Sequence, residues 1–186
     1  PVDRRQRQMC IRDRLMIAAG LVAALAWLFA PEKTTEFKPL DYLGYEAIAM
    51  EEDASGRLDF PSQDFSEITD YLNTYPGLGF TPRVLSKMPN GWEPEGATVI
   101  DYEVAKVVAV QYKNDTLGEK VFHFSFAGGL EGLPPSEVAS KGTFDYQSYD
   151  NDELNFIAWT EQGAVSLLVG RRSTVQLAEI GQLSSN

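Results

Sequence analysis

From Lys106 to Ala127 the chain reads KVVAVQYK, then NDTLG, then EKVFHFSFA. Two apolar-rich runs of strand length flank a short segment of residues that tolerate tight turns, which is the pattern of an antiparallel hairpin. Successive side chains of a strand alternate between its faces. Phe122, Phe124 and Phe126 therefore share one face, and Val121, His123 and Ser125 share the other. Three phenylalanines mark theirs as the core side and leave the His123 side half-buried.

The alternating signal begins at Met88 and persists nearly to the end of the chain. Met88-Pro-Asn-Gly-Trp92 reads as a turn into a strand over Ala97–Tyr102, and Phe144–Tyr149 reads as a further short strand. Leu154–Thr160 and Ala164–Val169 form a hairpin around Glu161-Gln162-Gly163, with Gly163 permitting the reversal. Gly128–Gly142 reads as a Gly- and Pro-rich loop in which Pro134-Pro135-Ser136-Glu137 opens one helical turn. Helices flank the strands. Phe65, Ile68, Leu72 and Tyr75 recur at spacings of three and four, predicting a helix over residues 62–74, which Pro76-Gly77 ends. Ser173 with Gln176 predicts a capped start for a second helix over residues 174–183, with Val175, Leu177, Ile180 and Leu183 as its apolar stripe. Adjacent hairpins bounded by helices predict an α+β domain over residues 62–186, with an antiparallel sheet of about five or six strands.

Upstream lies Leu15–Ala30, LMIAAGLVAALAWLFA, a run without a charge or a strong hydrogen-bonding side chain. A bilayer core about 30 Å thick takes roughly 20 apolar residues as a helix. Extension through Arg14 at one end and the Pro31-Glu32-Lys33 break at the other bring this run close to that length. Trp27 and Phe29 sit where an interfacial aromatic belt falls. A secretory signal would share the basic flank, but Leu28-Phe29-Ala30 lacks the small residue a cleavage site wants, and Pro31 follows directly. A buried helix of a soluble core would show an amphipathic stripe, and this run is apolar all round. The reading is one retained transmembrane helix.

Residues 1–14, PVDRRQRQMCIRDR, form a basic leader with five arginines and two aspartates. Excess arginine keeps its side of a span cytoplasmic, which places the following domain outside. The leader also looks like a translated sequencing-library adapter, in which case the natural chain enters near Arg14 or Leu15. The only cysteine, Cys10, falls in that segment and is given no thiol, lipid or metal role. Residues 31–61 read as a juxtamembrane connector interrupted by Pro31, Pro39 and Pro61. Phe37, Leu40, Tyr42, Leu43, Tyr45 and Ile48 are too many apolar side chains for a disordered linker, so part of it packs on the domain or forms a short element.

Charge excludes whole classes of partner. Residues 15–186 hold 11 basic against 25 acidic residues, a balance of −14, opposite to what nucleic acid or anionic lipid surfaces recruit. Chemistry-bearing motifs are sparse. His123 is the only histidine and reads as a structural residue in mid-strand. No Gly-x-Ser-x-Gly, His-Glu-x-x-His, P-loop or paired-cysteine signature occurs, and Gly77-Leu-Gly79 lacks the third glycine and the preceding strand of a nucleotide fingerprint. Asp150-Asn151-Asp152-Glu153 lacks the spacing and the glycine of a calcium loop and reads as a hairpin turn. Trp92 and Trp159 read as core residues. No catalytic, cofactor-binding or metal residue is expected, and no cofactor.

Residues 87–184 carry a resemblance. Met88-Pro-Asn-Gly91-Trp92 is followed by Gly96-Ala97, by Val108-Ala109-Val110-Gln111-Tyr112-Lys113 and, after a turn, by Lys120-Val-Phe-His-Phe. Then come Asn155-Phe-Ile-Ala-Trp159-Thr, Val165-Ser-Leu-Leu-Val169-Gly170 and the terminal helix. This order resembles the extracytoplasmic domain of transmembrane anti-sigma factors, and the related carboxy-terminal domain of envelope-stress sensors. The resemblance implies a single-pass inner-membrane protein with its carboxy-terminal domain outside the cytoplasm. In that family a cytoplasmic domain, often zinc-binding, holds a sigma factor, and the outer domain senses a signal or protects against cleavage. No His-x3-Cys-x2-Cys lies upstream of Leu15, so a sigma-binding region would belong to a missing amino-terminal part. The expected role is a membrane-anchored regulator acting by protein–protein contact, with a sigma factor, a periplasmic sensor or a protease as partners and the bilayer as its support. The alternatives are an accessory binding module of an envelope complex without any sigma factor and a hydrolase built on paired carboxylates.

Overall fold

A computed structural model describes residues 39–185 apart from 54–56, 103–104 and 151–152. These belong to one compact unit spanning Lys38–Asn186. The expected α+β class is observed. Helix α1 (Pro39–Glu52) is followed by the two-residue strand β1 (Phe60–Pro61) and helix α2 (Phe65–Thr74). Strands β2 (Glu93–Tyr102), β3 (Ala105–Asn114) and β4 (Glu119–Ala127) come next, then a short 3-10 turn over Leu130–Gly132. Strands β5 (Val138–Lys141), β6 (Phe144–Asp150), β7 (Asn155–Glu161) and β8 (Ala164–Gly170) and helix α3 (Thr174–Ser185) complete it.

All eight strands join one antiparallel sheet in the order β1-β2-β3-β4-β8-β7-β6-β5. Two meanders meet at β4 and β8, where Phe122 pairs with Val169, His123 with Leu168 and Ser125 with Ser166. The expected five or six strands undercount the sheet by β1 and β5. Both lack an alternating apolar pattern and are strands only because their backbones pair, Phe60 with Ala97 and Val138 with Gln147. In place of a helical turn at Pro134–Glu137, the 128–142 segment holds the earlier 3-10 turn and β5.

The turns and caps follow local chemistry. Gln162 and Gly163 both take positive φ, 51° and 79°, the pairing that matches a two-residue hairpin turn to strand twist. Helix α2 starts later than residue 62: Asp64 is its N-cap and accepts a hydrogen bond from the Ser66 N–H at 2.7 Å. In α3 the Ser173 Oγ accepts from the Gln176 N–H, and the Gln176 side chain accepts from the Ser173 N–H, closing a capping box.

Both faces of the sheet are covered. On one, Val108, Val110, Tyr112, Val121, Ile157, Trp159 and Leu168 pack with Ile68 and Leu72 of α2 and Leu177, Ala178 and Ile180 of α3. The segment between α2 and β2, residues 75–92, lies over this face as a strap and buries Leu78, Val84, Leu85 and Trp92 in the same cluster. The buried stripe of α3 differs from expectation: Leu177, Ala178, Ile180, Gly181 and Ser184 face inward, while Val175 and Leu183 are exposed. The small residues let the helix sit close, and a Cβ on Gly181 would lie 2.8 Å from the Phe144 ring. On the opposite face Phe122, Phe124, Phe126, Leu167 and Val169 are buried. Helix α1 lies there against β4 and β8, burying Leu43, Ala47 and Met50 and placing the Tyr42 ring 4.2 Å from that of Tyr102. This helix occupies part of the stretch read as a connector.

Among the described residues no helix is long and apolar enough to cross a membrane. The run Leu15–Ala30, the leader and Cys10 lie outside the described residues.

Candidate functional site

The polar part of the α3-side core lies in two adjacent cross-strand rows. One row is Val110, His123, Leu168 and Ile157; the other is Ser125, Ser166 and Trp159. His123 has no exposed surface, against the half-buried position expected, because the strap and α3 cover a face whose alternation alone reads as partly open. Its ring stacks on the Trp159 indole, 5.8 Å between centroids and 14° between planes. The Phe144 ring meets the Trp159 indole edge-on, 5.3 Å between centroids and 71° between planes.

Hydrogen bonding in this cluster is incomplete. Neither ring nitrogen of His123, nor Ser125 Oγ, nor Trp159 Nε1 makes a well-formed hydrogen bond among the described residues, though the Arg83 backbone faces the imidazole as an acceptor. Buried polar atoms are usually paired, so these four, with the buried and unpartnered Glu161 Oε2 at the rim, set this region apart. Burial holds the His123 imidazole down to about 3, the Arg83 cation pushes in the same direction, and the Arg83 backbone opposes both weakly. The histidine is neutral at physiological pH.

Arg83, on the strap, organises the rim of the cluster. Its guanidinium pairs with the Glu161 carboxylate on β7 and donates to the Ser184 carbonyl near the end of α3. Ser184 Oγ in turn donates to the Lys87 carbonyl at 3.1 Å. The Leu85 N–H donates to the Tyr112 hydroxyl at 2.8 Å, and burial raises that phenol well above its usual range. The strap is thus fastened to α3, β3 and β7 by polar bonds within one short segment, Arg83 to Lys87.

Beside the cluster opens a groove of about 370 Å³, walled by Phe144, Tyr146 and Trp159, with Asp145 and Glu161 among its polar residues and Val138 of the edge strand β5 at its side. That volume is in the range of small-ligand or side-chain pockets. Its chemistry is aromatic and acidic. A second depression of about 420 Å³ lies at Gly77–Gly79, where Lys106 is already paired with Asp101 at 2.7 Å.

The sequence nominated no site residue. Trp159 and Trp92 are core residues, 4% and 6% exposed, and the Arg172 guanidinium lies 5.4 Å from the Trp92 ring centre while pairing with Glu119. Asp150 ends β6, and Asn151 and Asp152 fall outside the described residues. Among the described residues no group of three or more His, Cys, Asp or Glu side chains is placed to hold a metal ion. A neutral imidazole without exposed surface has no reach to a substrate proton in this arrangement, which is the first requirement of a general base. The strap's role was missed in the sequence; its signal was Leu78, Val84 and Leu85, apolar residues between the Pro76-Gly77 helix stop and the Met88–Trp92 turn, where no element was expected.

Comparison with known proteins yields no match: no family model, no curated protein and no solved structure matches the chain significantly.

Proposed function

We propose that the domain over residues 39–186 is the extracytoplasmic part of a membrane-anchored regulator that acts by protein–protein contact, in the manner of the outer domains of transmembrane anti-sigma factors. The observation that carries this reading is where the resembling residues lie. Trp92, Tyr112, Val121, Trp159, Leu168 and the helix from Thr174 all belong to one core face, so the resemblance concerns a single packed unit rather than scattered short matches. Two features add support. The uncharged run Leu15–Ala30 stands directly upstream, and the acidic balance of −14 suits a domain that keeps clear of nucleic acid and anionic lipid. The sigma factor itself would be held by a region preceding Leu15, and a periplasmic sensor or a protease would meet the outer domain. The groove beside Trp159 and Glu161 offers such a partner an apolar side-chain pocket with an acidic edge.

Alkaline phosphatase fused after Asn186 tests the orientation, since that enzyme folds actively only outside the cytoplasm. Active fusions in the membrane fraction are expected; activity from a cytoplasmic reporter at the same position overturns the topology. Photo-crosslinkers at Val138 and Thr143, beside the groove, test the mode of action. They should capture a discrete envelope protein, and no adduct with any protein counts against a protein-contact role.

A further inference from the structure

The geometry points to an acid-released latch: entry of a proton at His123 frees the Arg83–Lys87 part of the strap from the sheet and from α3, baring the Trp159 face of the core. His123 is fully buried and stacked on Trp159, and neither ring nitrogen makes a well-formed hydrogen bond, the Arg83 backbone being the acceptor that faces the ring. No carboxylate is bonded to it that would stabilise an imidazolium. The charged groups near it are Arg83 of the strap and Glu161 of β7, and these two are paired with each other. The facing strands contribute Val110, Ser125, Ser166 and Leu168 and the phenols Tyr112 and Tyr146. On α3 the one carboxylate, Glu179, is exposed and bound to Lys141 at 2.7 Å; the acidic residues of α2, Glu67 and Asp70, are exposed. A cation formed at His123 would therefore sit in the core beside a second cation, Arg83, and the carboxylate at hand, Glu161, is already held by Arg83 through Oε1, with its buried Oε2 unpartnered. The element that can yield is the strap, because Arg83, Leu85 and Lys87 hold it through four polar contacts, whereas β4 is locked in the middle of the sheet.

The sign follows from linkage. A histidine held near 3 in the closed state and returning to about 6.5 when uncovered binds its proton only in the open state over that interval. The latch is fully closed above about pH 6.5 and loosens as pH falls, with the opening constant rising about tenfold per unit below that value. His123 is the only histidine in the chain, so no other side chain with an ordinary pKa titrates between roughly pH 6.5 and 5. The device is a property of the domain and does not depend on the regulatory role or the membrane topology proposed above.

Hydrogen exchange on the full chain, corrected for intrinsic rates, reads it directly. Between pH 7.5 and 5 the amides of residues 83–87 should lose protection about thirtyfold while those of β3, β4 and β8 hold theirs. In His123→Gln the protection of 83–87 should be flat over the same range. Unchanged protection in the wild-type chain, an equal pH response in the variant, or loss at all amides together overturns the latch. Should the variant fail to fold, the imidazole's own titration by NMR in the wild-type chain decides. A resonance still unshifted at pH 5 supports the latch, and a midpoint near 6.5 in the folded state overturns it.

Discussion

The two sides of β4 are both buried, yet they are different kinds of interior. On the α1 side Phe122, Phe124 and Phe126 present only rings. On the strap side Val121, His123 and Ser125 alternate with them and bring three unpartnered polar atoms into the core. Three consecutive aromatic positions on one face make a region whose stability is a matter of area removed from water and close packing. The other face holds polar groups at a cost and is covered by a segment with no regular secondary structure, tied down at a few points. One strand thus separates a region suited to holding the fold from a region suited to changing.

Removing a ring from the first region should have the largest effect. Phe124 is fully buried between β3 and β8, so Phe124→Ala should cost about 3–5 kcal/mol, with the loss read from the midpoint of urea unfolding. A cost below about 1 kcal/mol would mean that the α1 side is loosely packed and would erase the contrast. On the strap side Arg83→Met should cost less, about 1–2 kcal/mol, since both Arg83 and Glu161 keep some solvent contact. Its effect should be local: faster exchange at residues 83–87 with little change in β4.

Ser125→Ala carries the opposite sign. Its hydroxyl is buried without a partner, so deleting one atom should leave packing intact and raise stability by up to about 1 kcal/mol. Thermal unfolding of the pair Phe124→Ala and Ser125→Ala, neighbours in sequence, then moves in opposite directions. A destabilised Ser125→Ala would show that this hydroxyl makes a bond worth keeping, and the strap-side core would be better satisfied than its geometry indicates.

The same contrast governs how much of the molecule can be read from its residues. Strands β2, β3, β4, β6, β7 and β8, helices α2 and α3, and the Gln162-Gly163 turn follow from period, caps and turn chemistry, which are local. Helix α1 left a readable trace in Leu43, Ala47 and Met50, spaced by four and three, but Pro31, Pro39 and Pro61 made the stretch resemble a connector. Strand β5 left none, because Val138-Ala-Ser-Lys141 becomes a strand through its pairing with β6. The polar cluster was the least legible part. The alternation Val121-His123-Ser125 is that of a strand open on one side, and only the tertiary placement of the strap and α3 closes it.

The smallest effect concerns how α1 is held to the sheet. Arg171, just past β8, binds Glu51 of α1 through Nη2 at 2.9 Å and Nε at 3.3 Å, a two-pronged contact between chain segments far apart in sequence. The arginine is more than half exposed, so water and salt screen the pair and geometry contributes more than charge. Glu51→Gln keeps the length and one acceptor and should cost less than about 0.5 kcal/mol at low salt, a difference that vanishes near 1 M salt, where the screening length is about 3 Å. The comparison with Arg83 then becomes sharp. Both arginines clasp a helix or strap to the sheet, but only Arg83 lies over unpaired polar groups, so only its loss should loosen the segment it fastens. If Glu51→Gln released α1 as readily as Arg83→Met releases the strap, the apolar contacts of Leu43, Ala47 and Met50 would not be what holds that helix, and the two sides of the sheet would be alike.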